Sequence, residues 1–137
     1  MKVRYALLLL LLGVAVFAFA QTDDIFSAEV RFQNNISTVP KGHPPGELEG
    51  GFKIGNAEFV GNLKENDVTD YKRVNLNGGT FGKFSVQQLN KSGKWLTLGG
   101  NYLLFAGHRY TLQFMGTIHG ETGQWVDPFR LQLVQDE

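Results

Sequence analysis

Two histidines and a methionine in the C-terminal third of the chain are the first residues that could support chemistry. His108, Met115 and His119 lie within a short span, and imidazole together with thioether ligands suits copper. On an extended strand His108 and Met115 are an odd number of residues apart, so their side chains point to opposite faces. Met115 and His119 could meet across a turn. We favour loop and rim positions for these three residues, with copper binding as the alternative.

An acidic segment gives a second candidate metal site. Glu65, Asp67 and Asp70 are close together in the sequence, and clustered carboxylate oxygens are the ligands that Ca²⁺ prefers. The segment lacks the Asp-x-Asp-x-Asp-Gly order of a calcium-binding loop, and lysines flank it. We therefore interpret it as a solvated polar loop, with Ca²⁺ binding as the alternative.

None of the common catalytic motifs is present in the sequence. It contains no Gly-x-Ser-x-Gly turn, no His-Glu-x-x-His pair and no cysteine that could act as a nucleophile. A pair of carboxylates for glycoside hydrolysis stays open, because any two of the 13 acidic residues could face each other. We predict a protein that is not an enzyme and that needs no cofactor.

Four aromatic residues are the candidates for a binding surface. Trp95, Tyr102, Phe105 and Trp125 are the aromatics least well explained by the core of a strand pattern. Exposed tryptophan and tyrosine are favoured at contact sites because they combine apolar area with a polar group. Each of them taken singly is better interpreted as rim or core packing, whereas two or more on one exposed face would indicate a binding site.

The elements that must position these residues are β-strands. In residues 107–117, Tyr110, Leu112 and Phe114 alternate with Thr111 and Gln113. This two-residue period is typical of a strand with one buried face. We take this strand as the one around which the fold is organised.

Further strands are predicted along the rest of the chain. Residues 25–33 alternate cleanly, and residues 34–47 read as a surface connection. A hairpin is predicted at residues 48–60 around the Gly55-Asn56 turn. The other predicted strands are 71–76 pairing back with 80–89, 95–98 interrupted by Gly99-Gly100-Asn101, 103–105, and 129–133. With seven or eight strands and turn signals roughly every 8–12 residues, the fold class is an all-β antiparallel β-sandwich.

The first twenty residues are predicted to be a signal peptide that is removed. Lys2 and Arg4 form a short basic region, an apolar stretch follows, and Ala18-Phe19-Ala20 is a small-x-small cleavage site. The apolar stretch is shorter than the roughly 20 residues of a membrane-spanning helix, so no membrane span is expected after cleavage. Residues 21–137 are then a single β-sandwich domain.

The charge of the mature chain excludes some partners. Removing Lys2 and Arg4 leaves 11 of the 13 basic residues against 13 acidic ones. A chain this close to neutral lacks the positive surface that binds phosphate backbones, so we predict no nucleic-acid binding. The lack of cysteine means that no disulfide stabilises the exported domain, which favours a bacterial source.

Turn glycines and strand aromatics form a pattern in three segments. These are VRFQN at residues 30–34, YKRV followed by NGGTF in residues 71–81, and LFAGHRYTL ending in MGT in residues 104–117. Over most of residues 29–117 the chain resembles bacterial secreted domains of the DUF4397 type. The resemblance implies an immunoglobulin-like sandwich of exported and cell-surface proteins, and it brings no catalytic residues with it.

The function predicted from these observations is binding at or beyond the cell envelope. The protein is expected to be secreted, periplasmic or on the cell surface, where it contacts an extracellular or envelope macromolecule. One alternative is binding of a small apolar ligand between phenylalanine-rich strands, or of Ca²⁺ or copper. A further alternative is self-assembly through sheet edges into a surface structure.

Overall fold

The computed structural model of the protein describes residues 26–40 and 47–137. These residues form eight strands and no helix, which confirms the predicted all-β sandwich. The predicted signal peptide and residues 41–46 lie outside the described part. The strands are β1 (Ser27–Val39), β2 (Gly51–Ile54), β3 (Ala57–Val60), β4 (Lys72–Asn75), β5 (Phe81–Leu89), β6 (Trp95–Phe105), β7 (Arg109–His119) and β8 (Trp125–Gln135).

The strands form two four-stranded sheets that pack face to face. The first sheet has the order β4-β1-β7-β8 and the second has the order β3-β2-β5-β6. All pairs are antiparallel except β1 and β7, which run parallel from the Glu29–Arg109 pair to the Val39–His119 pair. The antiparallel β-sandwich is therefore confirmed, and the parallel β1–β7 pair at the centre of the first sheet is an exception that was not predicted. A parallel pair needs a long crossover, and here β2 to β6 provide it, which a local alternation pattern cannot reveal.

The core lies between the sheets and is centred on three phenylalanines. Phe32, Phe52 and Phe114 come from β1, β2 and β7, and all three are fully buried. The ring centroids of Phe52 and Phe114 are 4.6 Å apart, and Phe32 lies 6.3 Å and 6.4 Å from them. Tilted rings at these distances are favourable beyond the area that they bury. The cluster joins the two sheets, and its Phe114 confirms the predicted buried face of β7.

β1 is longer than predicted. The expected surface connection begins at Asn34, but β1 continues to Val39, with Asn34 and Ile36 buried. The Asn34 amide is satisfied inside the fold, since its Nδ2 donates to the Leu63 carbonyl at 2.8 Å and its Oδ1 accepts from the Ile36 N–H at 2.9 Å. A buried amide with these partners fits within a sheet, which residue type alone does not indicate.

The predicted hairpin of residues 48–60 is confirmed, whereas the next predicted pairing is wrong. β2 and β3 pair around Gly55, which has a φ of +58° that suits glycine. β4 does not pair with β5. It pairs with β1 in the first sheet, and β5 pairs with β2 and β6 in the second. The turn at residues 77–79 crosses between the sheets instead of closing a hairpin.

β6 and β8 are both longer than predicted. The expected interruption at Gly99-Gly100-Asn101 does not end the strand: β6 is continuous there, with two register shifts against β5. Asn101 has a φ of +66° at this irregularity, as in a β-bulge. Since β6 and β8 are the last strands of the two sheets, each leaves one backbone edge unpaired within the described residues. No helix of the described residues could cross a membrane.

Candidate functional site

The four aromatic candidates lie in three different places. Trp95 and Phe105 are on the outer face of the second sheet, at opposite ends of β6, and Trp125 begins β8 in the first sheet. The Trp95 ring lies under the Lys53 ammonium, with the Nζ 4.4 Å from the ring centroid. Tyr102 points inward and packs against the core, and burial raises its pKa. The four residues therefore do not form one surface.

Phe105 belongs to an exposed apolar cluster that the sequence did not indicate. Its neighbours are Phe81, which is its partner in β5, and Leu103, two residues earlier in β6. The exposed fractions are 55% for Phe81, 37% for Leu103 and 43% for Phe105. The two phenyl rings are 6.0 Å apart. We call these three residues the Phe81 patch. Grouped apolar side chains on an open face mark contact sites more often than isolated ones do.

The backbone beneath the Phe81 patch is fixed by β7. The Phe105 N–H donates to the phenol oxygen of Tyr110 at 2.9 Å, and its carbonyl accepts from the His108 N–H at 3.4 Å. Tyr110 itself is buried, so its hydroxyl is held in place by the core. The N–H and the carbonyl of Phe105, which face away from β5, are therefore both hydrogen-bonded. The patch is therefore held on a fixed strand end.

A concave apolar site lies at the opposite end of the sandwich, where the two sheets separate. It has a volume of about 420 Å³ in one part and about 320 Å³ in a second part that shares Gln88 and Leu98 with the first. We call the second part the Trp125 groove. Its apolar walls are Ile36, Leu48, Leu98, Ile118, Trp125 and Phe129. Gln88 and Glu47 complete its lining.

A glycine positions Trp125 in the wall of this groove. A Cβ atom at Gly116 would lie 2.7 Å from Cζ3 of the Trp125 ring, and Gly116 has a φ of +143°. The indole therefore packs onto the β7 backbone at a point where only glycine fits. Its ring is 5.7 Å from Phe129, which in turn is 6.3 Å from Phe114 of the core. Trp125 is thus anchored from beneath while 46% of it stays exposed.

The outer face of the first sheet carries a network of polar side chains. Asp136 accepts from the Thr111 hydroxyl at 2.6 Å and from the Tyr71 phenol at 2.7 Å. The Arg31 Nε donates to Thr111 at 2.9 Å, and both guanidinium groups of Arg31 and Arg109 lie within 4.8 Å of the Tyr71 ring centroid. Partial burial and the Asp136 hydrogen bond raise the pKa of Tyr71. These side chains hydrogen-bond to or stack on one another, and through Asp136 they join the C-terminal end of the chain to β1 and β7.

The structure separates the histidine and methionine candidates. His108 precedes β7 and His119 ends it, so the two are about 35 Å apart at roughly 3.3 Å per residue. The His108 Nδ1 is 2.8 Å from the Glu137 carbonyl, and the His119 Nδ1 accepts from the Glu121 N–H at 3.3 Å. Met115 lies on the outer face of the first sheet between Asn35 and Arg130. The three residues are not brought together.

The acidic candidates lie in the loop between β3 and β4. Asp67 closes a turn of this loop, since its carboxylate accepts from the Lys64 N–H at 3.3 Å. Glu65 lies within the same turn, and Asp70 follows it, just before β4. Within residues 26–40 and 47–137, no three histidine, aspartate or glutamate side chains are grouped so that they could hold a metal ion.

Comparison with known proteins gives no relative for this chain. No family matches it, and no curated protein or solved structure is significantly similar to it.

Proposed function

We propose that the protein is an exported, non-catalytic binding module that contacts another protein of the envelope or extracellular space through the Phe81 patch. The observation that supports this proposal is the exposure of Phe81, Leu103 and Phe105 side by side on one outer face. Aromatic side chains in such a cluster gain free energy when a partner removes them from water. The resemblance to DUF4397-type domains and the predicted signal peptide favour the export of this module.

The shape of the Phe81 patch favours a protein partner. Small-molecule sites are concave and enclose most of their ligand, whereas the patch lies on an open sheet face. Protein interfaces have a centre that is rich in aromatic residues and poor in charge. Phe81, Leu103 and Phe105 have this composition, with Lys83 beside them in β5.

The charged groups support the non-catalytic part of the proposal. The side chains with displaced pKa values include Tyr71, Tyr102 and Arg109, and each pKa is raised. The shift moves these groups away from the neutral range in which a general acid or base works. The Tyr71 hydroxyl already donates to Asp136, which also accepts from Thr111.

The experiment compares a patch variant with a matched variant outside the patch. Phe81→Ser and Phe105→Ser are combined in the mature chain, and Val60→Ser is the control because Val60 is 61% exposed in β3 of the same sheet. Each protein is cross-linked to intact envelope preparations, and the captured partner is purified and titrated. Because aromatic hot-spot residues each contribute more than about 1 kcal/mol to binding, we expect at least a tenfold loss of affinity for the double variant alone. Equal affinity of the double variant and the wild type would refute the proposed contact surface.

Export is tested separately with the full chain. Expression in a bacterial host should give a product outside the cytoplasm whose N-terminus is Gln21 by mass spectrometry. Ala20→Arg places a large charged residue at the cleavage site and should leave the leader attached. An intracellular product that begins at Met1 would contradict export and leave the binding surface to be tested on its own.

Self-assembly is a second candidate, and one observation favours it. β6 is an edge strand without a charged residue or proline, and such edges invite pairing with another chain. The other edges carry Lys72 and Arg73 in β4, Glu58 in the short β3, and Pro128 in β8. Light scattering across a range of concentrations tests this candidate: a mass that rises with concentration indicates pairing with a second copy, and a constant monomer mass excludes it.

A further inference from the structure

We infer that the Trp125 groove is a separate binding site for a small organic cation, an ammonium group attached to an alkyl or aryl body. The groove lies at the other end of β5 and β6 from the Phe81 patch, since Gln88 and Leu98 line it while Phe81 and Phe105 form the patch. Its occupant therefore need not compete with a protein bound at the patch.

The volume and lining of the groove suit the apolar body of such a ligand. A space of about 320 Å³ lies at the lower end of the size range of small-molecule sites, which are mostly apolar with a few polar groups. Six of its lining residues are aliphatic or aromatic, and the larger hollow beside it adds Leu89 and Leu96. An alkyl chain that outgrows the groove can extend along these leucines.

The walls of the groove are preformed. Ile36 is 2% exposed and belongs to the core. Trp125 packs on the β7 backbone at Gly116, and Phe129 stacks with Phe114. Leu48 is held by paired backbone hydrogen bonds with Leu63 at 2.7 Å and 2.9 Å. Binding therefore does not have to order these side chains, which lowers its entropic cost.

The charge of the groove selects the head group. Glu47 is the one charged side chain that lines it among the described residues, and no hydrogen bond or ion pair to its carboxylate is present within them. A carboxylate at the edge of an apolar site attracts a cation and repels an anion. The exposed indole of Trp125 adds to this preference, because the face of a tryptophan ring attracts cations.

The test uses three ligands with the same body and different heads: n-octylammonium, n-octanol and octanoate. Trp95→Phe leaves Trp125 as the single tryptophan, so its fluorescence reports occupancy of the groove in the mature chain. We expect saturable binding in the order octylammonium, octanol, octanoate, with about a two- to fivefold step between the first two, as for an exposed ion pair. The absence of saturable octylammonium binding, or octanoate binding as tightly as octylammonium, overturns the inference.

Two variants then assign the site, with calorimetry as the measurement. Glu47→Gln should reduce the preference for octylammonium over octanol while leaving octanol binding unchanged, and Glu65→Gln is the matched control because Glu65 does not line the groove. Trp125→Ala should weaken the binding of both ligands at least tenfold. A preference that is undiminished in Glu47→Gln, or affinities that are unchanged in Trp125→Ala, would place the ligand elsewhere and refute the inference. The Phe81/Phe105 double variant should bind octylammonium normally, so failure of the proposed function and failure of this inference are distinguishable.

Discussion

The outer faces of the two sheets differ in the interactions that their side chains make. On the first sheet, Arg31, Thr111 and Asp136 form hydrogen bonds with one another and with Tyr71. On the second sheet, Phe81 and Phe105 contact each other but remain about half exposed. A polar network whose members are paired gains little from a partner, because binding would have to replace bonds that already exist. An apolar cluster in water gains from any complementary surface.

Two faces of similar architecture can therefore have separate roles. The polar side chains on the face of the first sheet are bonded to one another within the fold, and we propose that the face of the second sheet serves binding. Variants on the two faces should therefore change different measured quantities.

Variants of two phenylalanines in the second sheet should differ most in their effect on the free energy of unfolding. Phe52→Ala removes a fully buried ring from the core, and the loss in the free energy of unfolding should be about 3–5 kcal/mol. Phe81→Ser removes a ring that is 55% exposed, and its effect should stay within about 0.5 kcal/mol. Urea unfolding of both variants measures the difference. A large loss in Phe81→Ser would mean that the patch is part of the core.

Asp136→Asn should break the network on the face of the first sheet. The carboxylate accepts two hydrogen bonds from Tyr71 and Thr111, and loss of its charge should lower the free energy of unfolding by about 1–2 kcal/mol. The matched control is Asp127→Asn, because Asp127 and its partner Arg130 are each half exposed. This control should cost about 0.5 kcal/mol or less. Equal effects of the two variants would show that the network contributes no more than an ordinary surface pair.

A rise to alkaline pH should change the free energy of unfolding least. The change involves Tyr71, which packs beside the first sheet, and Tyr102 in the second sheet. The fold raises the pKa of Tyr71 and of Tyr102. Above the ordinary tyrosine pKa of about 10, the unfolded chain has lost phenolic protons that the native state still holds. The stabilisation is therefore complete below this pH and is lost as the pH rises through the folded pKa values.

Phenylalanine variants separate the two tyrosine contributions. The free energy of unfolding is measured between about pH 8 and about pH 11, which spans the ordinary tyrosine pKa. Tyr102→Phe and Tyr71→Phe should each flatten the alkaline decline. A decline that is unchanged in both variants would assign it to other groups.

The parts of the fold that depend on local chemistry were predictable from the sequence. The alternation of Tyr110, Leu112 and Phe114 placed the buried face of β7, and the Gly55-Asn56 turn placed the β2–β3 hairpin. The prediction failed where a partner distant in sequence decides how far a strand extends or which strand it pairs with. Asn34 is acceptable within β1 only because the Leu63 carbonyl accepts from its amide. The partners of β4 and β5 depend on which sheet each strand joins.

The candidate surfaces were predictable only in part, for a related reason. Phe105 and Trp125 were selected as aromatics without a clear place in the core, and both are exposed. Tyr102 was selected on the same basis but points inward, on the same side of β6 as the buried Leu104 two residues later. Phe81 could not be identified as the neighbour of Phe105 without the register of β5 against β6. The groove around Trp125 is formed by both sheets, so no single segment indicates it.

The parallel pairing of β1 and β7 has a consequence for the time course of folding. Arg31 and Thr111 are 80 residues apart in sequence and adjacent in the sheet. Contacts between residues so distant in the chain form slowly, because a long loop must close before they contribute. The first sheet cannot be completed until β7 has been synthesised, so the nascent chain carries the apolar side of β1 without its central partner. A chain truncated before Arg109 would keep only β4 beside β1, and we expect it to lose the whole first sheet rather than its last two strands alone.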